Sequence, residues 1–271
     1  AAAVAERLGY EDPFLAVREP FQMWGIQGDE SLKERLPFVK AGLPGVFVTP
    51  DVTPYKKRKV RILNGAHTAF VPGSWVAGFD IVRDCMHDET VRGFMNTMLY
   101  DEVIPTLAAD LDVEDCKAFA AAVENRFDNP FIDHALLSIC LNSTAKWRAR
   151  DLPTLKDYAA ETGNLPKCLA TSLATLISFY TQELVSREGD GLHLRRSDGT
   201  EYTAQDDAFV LDFYAAHAGA DDAELVHDVL SNEQMWGEDL TQIAGLEEFV
   251  VNALAVVRSE GVKQAFANAQ A

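Results

Sequence analysis

At 271 residues, the chain has room for one large domain or for a domain with a smaller appendage. Its formal net charge of -18 argues against the basic face that nucleic-acid phosphates require, and no stretch approaches the roughly 18 consecutive apolar residues of a membrane span. Hydrophobic residues at 48% and charged residues at 24% give the composition of an ordinary globular protein.

The N-terminal Ala-Ala-Ala-Val-Ala lacks the basic start and apolar core of a signal peptide, which points to a cytoplasmic protein. Phe21 to Gln27 and Val46 to Thr49 read as short strands, separated by Gly25, Gly28, Gly42, Pro44 and Gly45. After Pro50 the pattern turns helical. Thr53-Pro54 predicts a helix start, with threonine as cap and proline in the first turn, and Pro72-Gly73 predicts its end near Val71. Further helices are expected at 88–100 with Asp88 as cap, at 113–126, from Asn129-Pro130 to about Ala145, at 154–162 and at 166–186. Gly189-Asp-Gly191 and Ser197-Asp-Gly199 bracket Leu192-His-Leu194 as a small hairpin, and helices follow at 204–217, 221–230 and 246–259. The expected organisation is a strand-containing segment over 1–50 and an all-helical domain over 51–271.

Charge is uneven: residues 1–150 carry 17 basic and 21 acidic side chains, residues 151–271 carry 7 and 21. The basic residues of the first half cluster at 56–61 and at Lys146, Arg148 and Arg150. Cys85, Cys116, Cys140 and Cys168 are far apart and read as buried free thiols of a reducing compartment. Asp206-Asp207, Asp221-Asp222 and Glu247-Glu248 fall at helix starts, where negative charge is stabilising, and the four tryptophans read as core. His134 is open between facing a site and packing between helices. No Gly-x-Gly-x-x-Gly follows a strand and no Walker loop is present, so the chain shows no nucleotide-phosphate cradle, and the histidines show no metal spacing.

The chemistry-bearing run is Lys59-Val-Arg-Ile-Leu-Asn-Gly-Ala-His67. On an α-helix Lys59, His67 and Asn64 fall at roughly 0°, 80° and 140°, one broad face. A lysine beside other cations (here Lys56, Arg58 and Arg61) loses some of its preference for the ammonium form and can serve as general acid or base. Asn64 and His67 can hydrogen-bond a ketone or alkoxide oxygen without any metal. Gly65 would let another backbone or a ligand come close. Spacing alone equally allows a solvated lysine with two ordinary polar neighbours.

Lys59-x4-Asn64-x2-His67 resembles the catalytic signature of the polyol-specific long-chain dehydrogenases, the mannitol dehydrogenase family. So do Thr49-Pro-Asp-Val-Thr-Pro-Tyr55, Ile62 to Thr68, Arg126-Phe-Asp-Asn-Pro-Phe131, Leu141 to Arg148 and Asp239 to Leu246. The similarity covers about residues 19–260 and is strongest to sugar-acid-reducing members. The resemblance implies a mainly α, multi-helix fold of the mannitol dehydrogenase / 6-phosphogluconate dehydrogenase C-terminal type. It also implies Lys59 as general acid/base, Asn64 and His67 holding the substrate oxygen, and Lys146 as a substrate-binding lysine. Ser138 stands where polyol-oxidising members carry an arginine. Arg61, Arg148 and Arg150 are the further substrate-binding candidates, and a sugar-acid carboxylate suits arginine. NAD is the implied cofactor, held by an N-terminal Rossmann domain of which residues 1–50 read as the tail. That domain and one further catalytic asparagine of the family are not in this sequence. The contrasting expectation is a helical assembly module without chemistry, which gains if Lys59, Asn64, His67 and Lys146 do not share one cleft.

Overall fold

A computed structural model describes residues 2–14 and 22–271; Phe21 and the first residues of the family resemblance lie outside the described residues. The chain divides into two compact units, Ala1–Lys56 and Lys57–Ala271. The first contains helix α1 (Ala2–Leu8), strand β1 (Trp24–Gln27), helices α2 (Glu30–Arg35) and α3 (Pro37–Lys40), and strand β2 (Val46–Thr49). β1 and β2 pair in parallel with Trp24 opposite Val46, so α2 and α3 form the crossover that a parallel pair needs. Trp24 stacks on Phe38 at 5.1 Å between ring centres.

Helix α4 (Thr53–Arg58) runs along the chain into a π-helical segment, Lys59–Asn64, and then helix α5 (Gly65–Val76). Pro72 and Gly73 do not end α5. Tertiary packing overrides the local signal, because Gly73 is where neighbouring helices approach: an added Cβ would meet Phe266 at 2.8 Å and Thr175 at 2.9 Å. Helices α6 (Val82–His87) and α7 (Glu89–Thr97) follow, the latter capped by Asp88, whose carboxylate accepts from the amides of Thr90 and Val91. A second π segment spans Met98–Val103. Then come α8 (Val113–Phe127), α9 (Leu136–Ile139), α10 (Ser143–Arg150) and α11 (Leu152–Thr162).

Helix α12 (Lys167–Tyr180) is the centre of the second unit, with every residue from Cys168 to Tyr180 buried against α5 and the C-terminal helices. It stops at Tyr180, short of the expected 186. Thr181 and Gln182 fold their side chains back onto the carbonyls of Ile177 and Ser178, and the chain leaves as a strand. The expected hairpin is therefore a three-stranded antiparallel sheet, β3 (Glu183–Glu188), β4 (Gly191–Arg195) and β5 (Glu201–Ala204), in that order. Helices α13 (Ala208–Ala216), α14 (Asp222–Leu230), α15 (Glu233–Trp236), α16 (Leu246–Glu260) and α17 (Val262–Ala269) complete the unit. The last was not anticipated, although Val262, Ala265, Phe266 and Ala269 mark its buried face, where Phe266 stacks on Phe94 at 3.9 Å. All four cysteines are free and buried. No helix among the described residues is long and apolar enough to cross a membrane.

The first turn of α12 is capped from a distance. Glu102, 5% exposed, accepts from the amide of Cys168 at 2.7 Å and of Leu169 at 2.9 Å. Burial outweighs these two bonds and pushes its carboxyl up to about 7. Glu102→Ala leaves two buried amides unmet and is expected to cost about 2–4 kcal/mol in urea unfolding. The folded pKa lies above the unfolded value near 4.5, so this group's contribution is complete below 4.5 and is lost as pH rises through about 7. Wild-type stability should show that decline and Glu102→Gln should lack it.

Candidate active site

Lys59 and Asn64 bound the π segment, and this local geometry decides how they relate. An α-helix would set residues five apart about 140° from each other, whereas a π turn bonds i to i+5 and brings them to one side. The amide of Gly65 indeed reaches back to the carbonyl of Val60. The carbonyl of Asn64 accepts from the hydroxyl of Thr68 at 2.9 Å and, at 3.5 Å, from Nη1 of Arg150, which also donates to Thr68 Oγ1 at 2.9 Å. Arg150, from the end of α10, is thus tied to the turn that carries Asn64.

His67 lies one turn further, its ring stacked on Phe127 at 3.9 Å and edge-on to His134 at 5.5 Å. Its Nε2 and the Oδ1 of Asn64 are buried and have no hydrogen-bond partner. Two unmet buried polar atoms on successive turns of one helical run are costly unless a ligand satisfies them. Burial, reinforced by the charges of His134, Arg150, Arg126 and Lys146, pulls the His67 imidazolium down to about 3, so the ring is neutral at working pH. Lys59 is pulled down by burial first, then by Arg150 and Arg126. Lys146, half-buried and donating to the carbonyl of Ile139 at 2.9 Å, is lowered by burial and by Arg150.

Arg150 links these residues: it is bonded to the turn of Asn64, and its charge acts on Lys59, His67 and Lys146, so the assembly-module expectation gains no support here. Two candidates do not join them. Arg61 points to the other side of its helix, paired with Asp157 at 2.6 Å and close to Thr106. Arg148 lies over Gly237, where its Nη2 would be 2.3 Å from an added Cβ, in a separate surface cavity with Lys156, Asp157 and Trp236. The reason is helical spacing: Lys146 and Arg150 are four apart on α10 and share a face, while Arg148 falls opposite.

The basic run at 56–61 needs a second correction. Lys57 is paired with Asp110 at 2.5 Å, Arg58 lies 4.8 Å over the ring of Phe119, and Arg61 is held by Asp157. Those neighbours serve packing, and the cations acting on Lys59 come from other helices. Arg126 was visible in the Arg-Phe-Asp-Asn-Pro run without a role; it acts on both Lys59 and His67. His134 does face the site, held there by its carbonyl accepting from the amide of Val82. Trp147 is core, donating to Ser172 at 2.9 Å. Among the described residues no group of three or more His, Cys, Asp and Glu is placed to hold a metal ion.

Residues 51–258 match the family described as mannitol dehydrogenase C-terminal domain. The chain is 41% identical over 270 residues to an altronate oxidoreductase of Escherichia coli, covering 97% of this chain and 53% of that protein. It is 40% identical over 272 residues to the altronate oxidoreductase of Yersinia enterocolitica, covering 98% and 53%. The chain thus spans about half the length of the curated relatives it matches. Two solved structures share its fold at 22% identity. Pseudomonas fluorescens mannitol 2-dehydrogenase, in ternary complex with NAD and D-mannitol, aligns with a TM-score of 0.69 over 83% of this chain and 42% of that one. Substrate-free D-sorbitol dehydrogenase aligns with a TM-score of 0.75 over 98% and 51%. On the strength of the match over residues 51–258, the chain belongs to the mannitol dehydrogenase family.

Proposed function

We propose that this chain supplies the substrate-holding and proton-transferring part of a dehydrogenase that interconverts altronate and tagaturonate. One observation carries the reading: Lys59, its ammonium disfavoured, stands with the unmet polar atoms of Asn64 and His67 in a cluster whose charged neighbours are cations. Such a site can take a proton from an alcohol and favours an anionic substrate. The relatives named altronate oxidoreductase supply the choice among sugar acids.

In the oxidative direction neutral Lys59 accepts the hydroxyl proton. The Nδ2 amide group of Asn64 and the Nε2–H of neutral His67 donate to the oxygen as it becomes a carbonyl, and the hydrogen on carbon leaves as hydride. In reduction the Lys59 ammonium returns the proton. Among the described residues Arg150 bonds Thr68 and Asn64 through Nη1 alone, so its remaining N–H groups, with the Lys146 ammonium, suit the substrate carboxylate.

The described residues do not fit the pyrophosphate of NAD. At the βα turn after β1, Asp29 already caps α2, accepting from the amide of Ser31 at 2.9 Å, and its negative charge opposes a phosphate there. The hydride acceptor is assigned to a nucleotide-binding part of the enzyme outside these residues. Steady-state rates of the complete enzyme with tagaturonate, fructuronate and mannitol test the reading. Tagaturonate should lead mannitol by about 10²-fold in kcat/KM, since a site built for a polar group rejects substrates lacking it. Preference for mannitol, or no turnover of any of the three, would refute it.

A further inference from the structure

Directly behind the turn that carries the site lies a carboxyl that the proton transfer does not use. Asp151, between α10 and α11, is 2% exposed, and its Oδ2 has no hydrogen-bond partner. Its Oδ1 stands 2.8 Å from where a Cβ on residue 65 would be, so glycine at 65 and aspartate at 151 are matched to each other. Gly65 is the residue whose amide makes the π-type bond to Val60, and it follows Asn64 immediately. On the other side, the residue before Asp151 is Arg150, which reaches to Asn64 and Thr68. Arg61 and Arg150 are the two cations acting on the carboxyl, yet burial prevails and raises its pKa well above the ordinary range.

Packing alone does not call for such a group. An unmet buried polar atom costs about 1–3 kcal/mol, which an apolar side chain of the same size avoids. What the carboxyl does have is position, at the junction of the π segment with α5. If the support behind Gly65 were withdrawn, the turn could tighten to ordinary α geometry, in which Lys59 and Asn64 are about 140° apart.

We propose that Asp151 is a positioning residue: its buried carboxyl abuts Gly65 and, with Arg150, holds the π segment in the form that brings Asn64 beside Lys59. The proposal rests on the dehydrogenase reading above. In the complete enzyme, Asp151→Leu is expected to fold and to lower kcat about 10²-fold with KM for the sugar acid changed less than about threefold, the mark of misplaced groups rather than lost binding. Asp151→Asn, which keeps the shape and a hydrogen-bonding end, should bring kcat back to within about fivefold of wild type. A purely packing role predicts the reverse order, with leucine equal to or better than asparagine, and that result overturns the proposal. So does a kcat for Asp151→Leu within about threefold of wild type. If Asp151→Leu does not fold, Gly65→Ala replaces it: displacing the carboxyl from the front should give the same fall in kcat with little change in KM, and wild-type kcat would overturn the proposal. Wild-type enzyme that oxidises mannitol and ignores altronate would refute the substrate reading alone; the same comparison is then made with mannitol.

Discussion

Replacing Lys59 by alanine is expected to lower kcat about 10³-fold or more while the protein unfolds at the same denaturant concentration, because general acid–base catalysis is worth two to four orders of magnitude. The stability half of that expectation follows from placement. Lys59 stands at the start of the π segment with most of its side chain open to solvent and only part of it covered, and among the described residues it forms no ion pair. The catalytic half follows from its charge state. Partial burial, Arg150 and Arg126 all disfavour the ammonium, so the neutral fraction of Lys59 exceeds that of a free side chain at the same pH. With neutral Lys59 as the proposed base, the oxidative kcat/KM should rise with pH and level off below 10.5, the ordinary lysine value. The reductive rate needs the ammonium and should fall over the same interval. The alanine variant should lose both limbs, which a pH–rate series in each direction would show.

The second large effect concerns the substrate carboxylate. Altronate and altritol share the same hydroxyl stereochemistry and differ in having a carboxylate or a neutral CH2OH at one end. If Arg150 and Lys146 hold that carboxylate, Arg150→Gln should lower kcat/KM for altronate about 10²-fold more than for altritol, the size expected for a charge-assisted hydrogen bond removed from a partly buried site. Some common loss is expected for both substrates, since Arg150 also steadies the carbonyl of Asn64. The informative quantity is therefore the ratio. Equal losses for the two substrates would assign Arg150 to the scaffold and leave the carboxylate to other groups. Lys146→Gln should act in the same sense, and more weakly if its bond to Ile139 restrains it.

Much of this site is legible in the amino-acid order, and what is not has physical causes. Lys59, Asn64 and His67 sit within nine residues on one continuous helical run, and Lys146 and Arg150 are one helical turn apart, so their shared faces follow from helical spacing. The π geometry is not legible. Nothing in Lys-Val-Arg-Ile-Leu-Asn separates it from an α turn, and the groups packed against it, Arg150 and Asp151, lie 86 positions or more along the chain. The basic run at 56–61 misleads for a related reason. A helix disperses consecutive side chains around its axis, and three of these five met partners on different neighbours. Pro72-Gly73 misleads because local punctuation is weaker than the packing of a wholly buried helix, and Gly73 is needed for the approach of Phe266 and Thr175. Gly65 reads as a close-approach position for a backbone or a ligand, whereas the group that approaches is the buried carboxyl of Asp151, a side chain 86 positions away that nothing local in the sequence indicates.

The central claim is that the amine of Lys59 carries the proton, and chemical rescue tests it most directly. In the Lys59→Ala enzyme, added primary amines of increasing basicity should restore altronate oxidation in proportion to amine concentration, with rates that rise with amine pKa, while KM for altronate stays near its wild-type value. A folded Lys59→Ala enzyme that binds altronate normally yet shows no amine-dependent rate, or one that retains wild-type turnover without any amine, would contradict it.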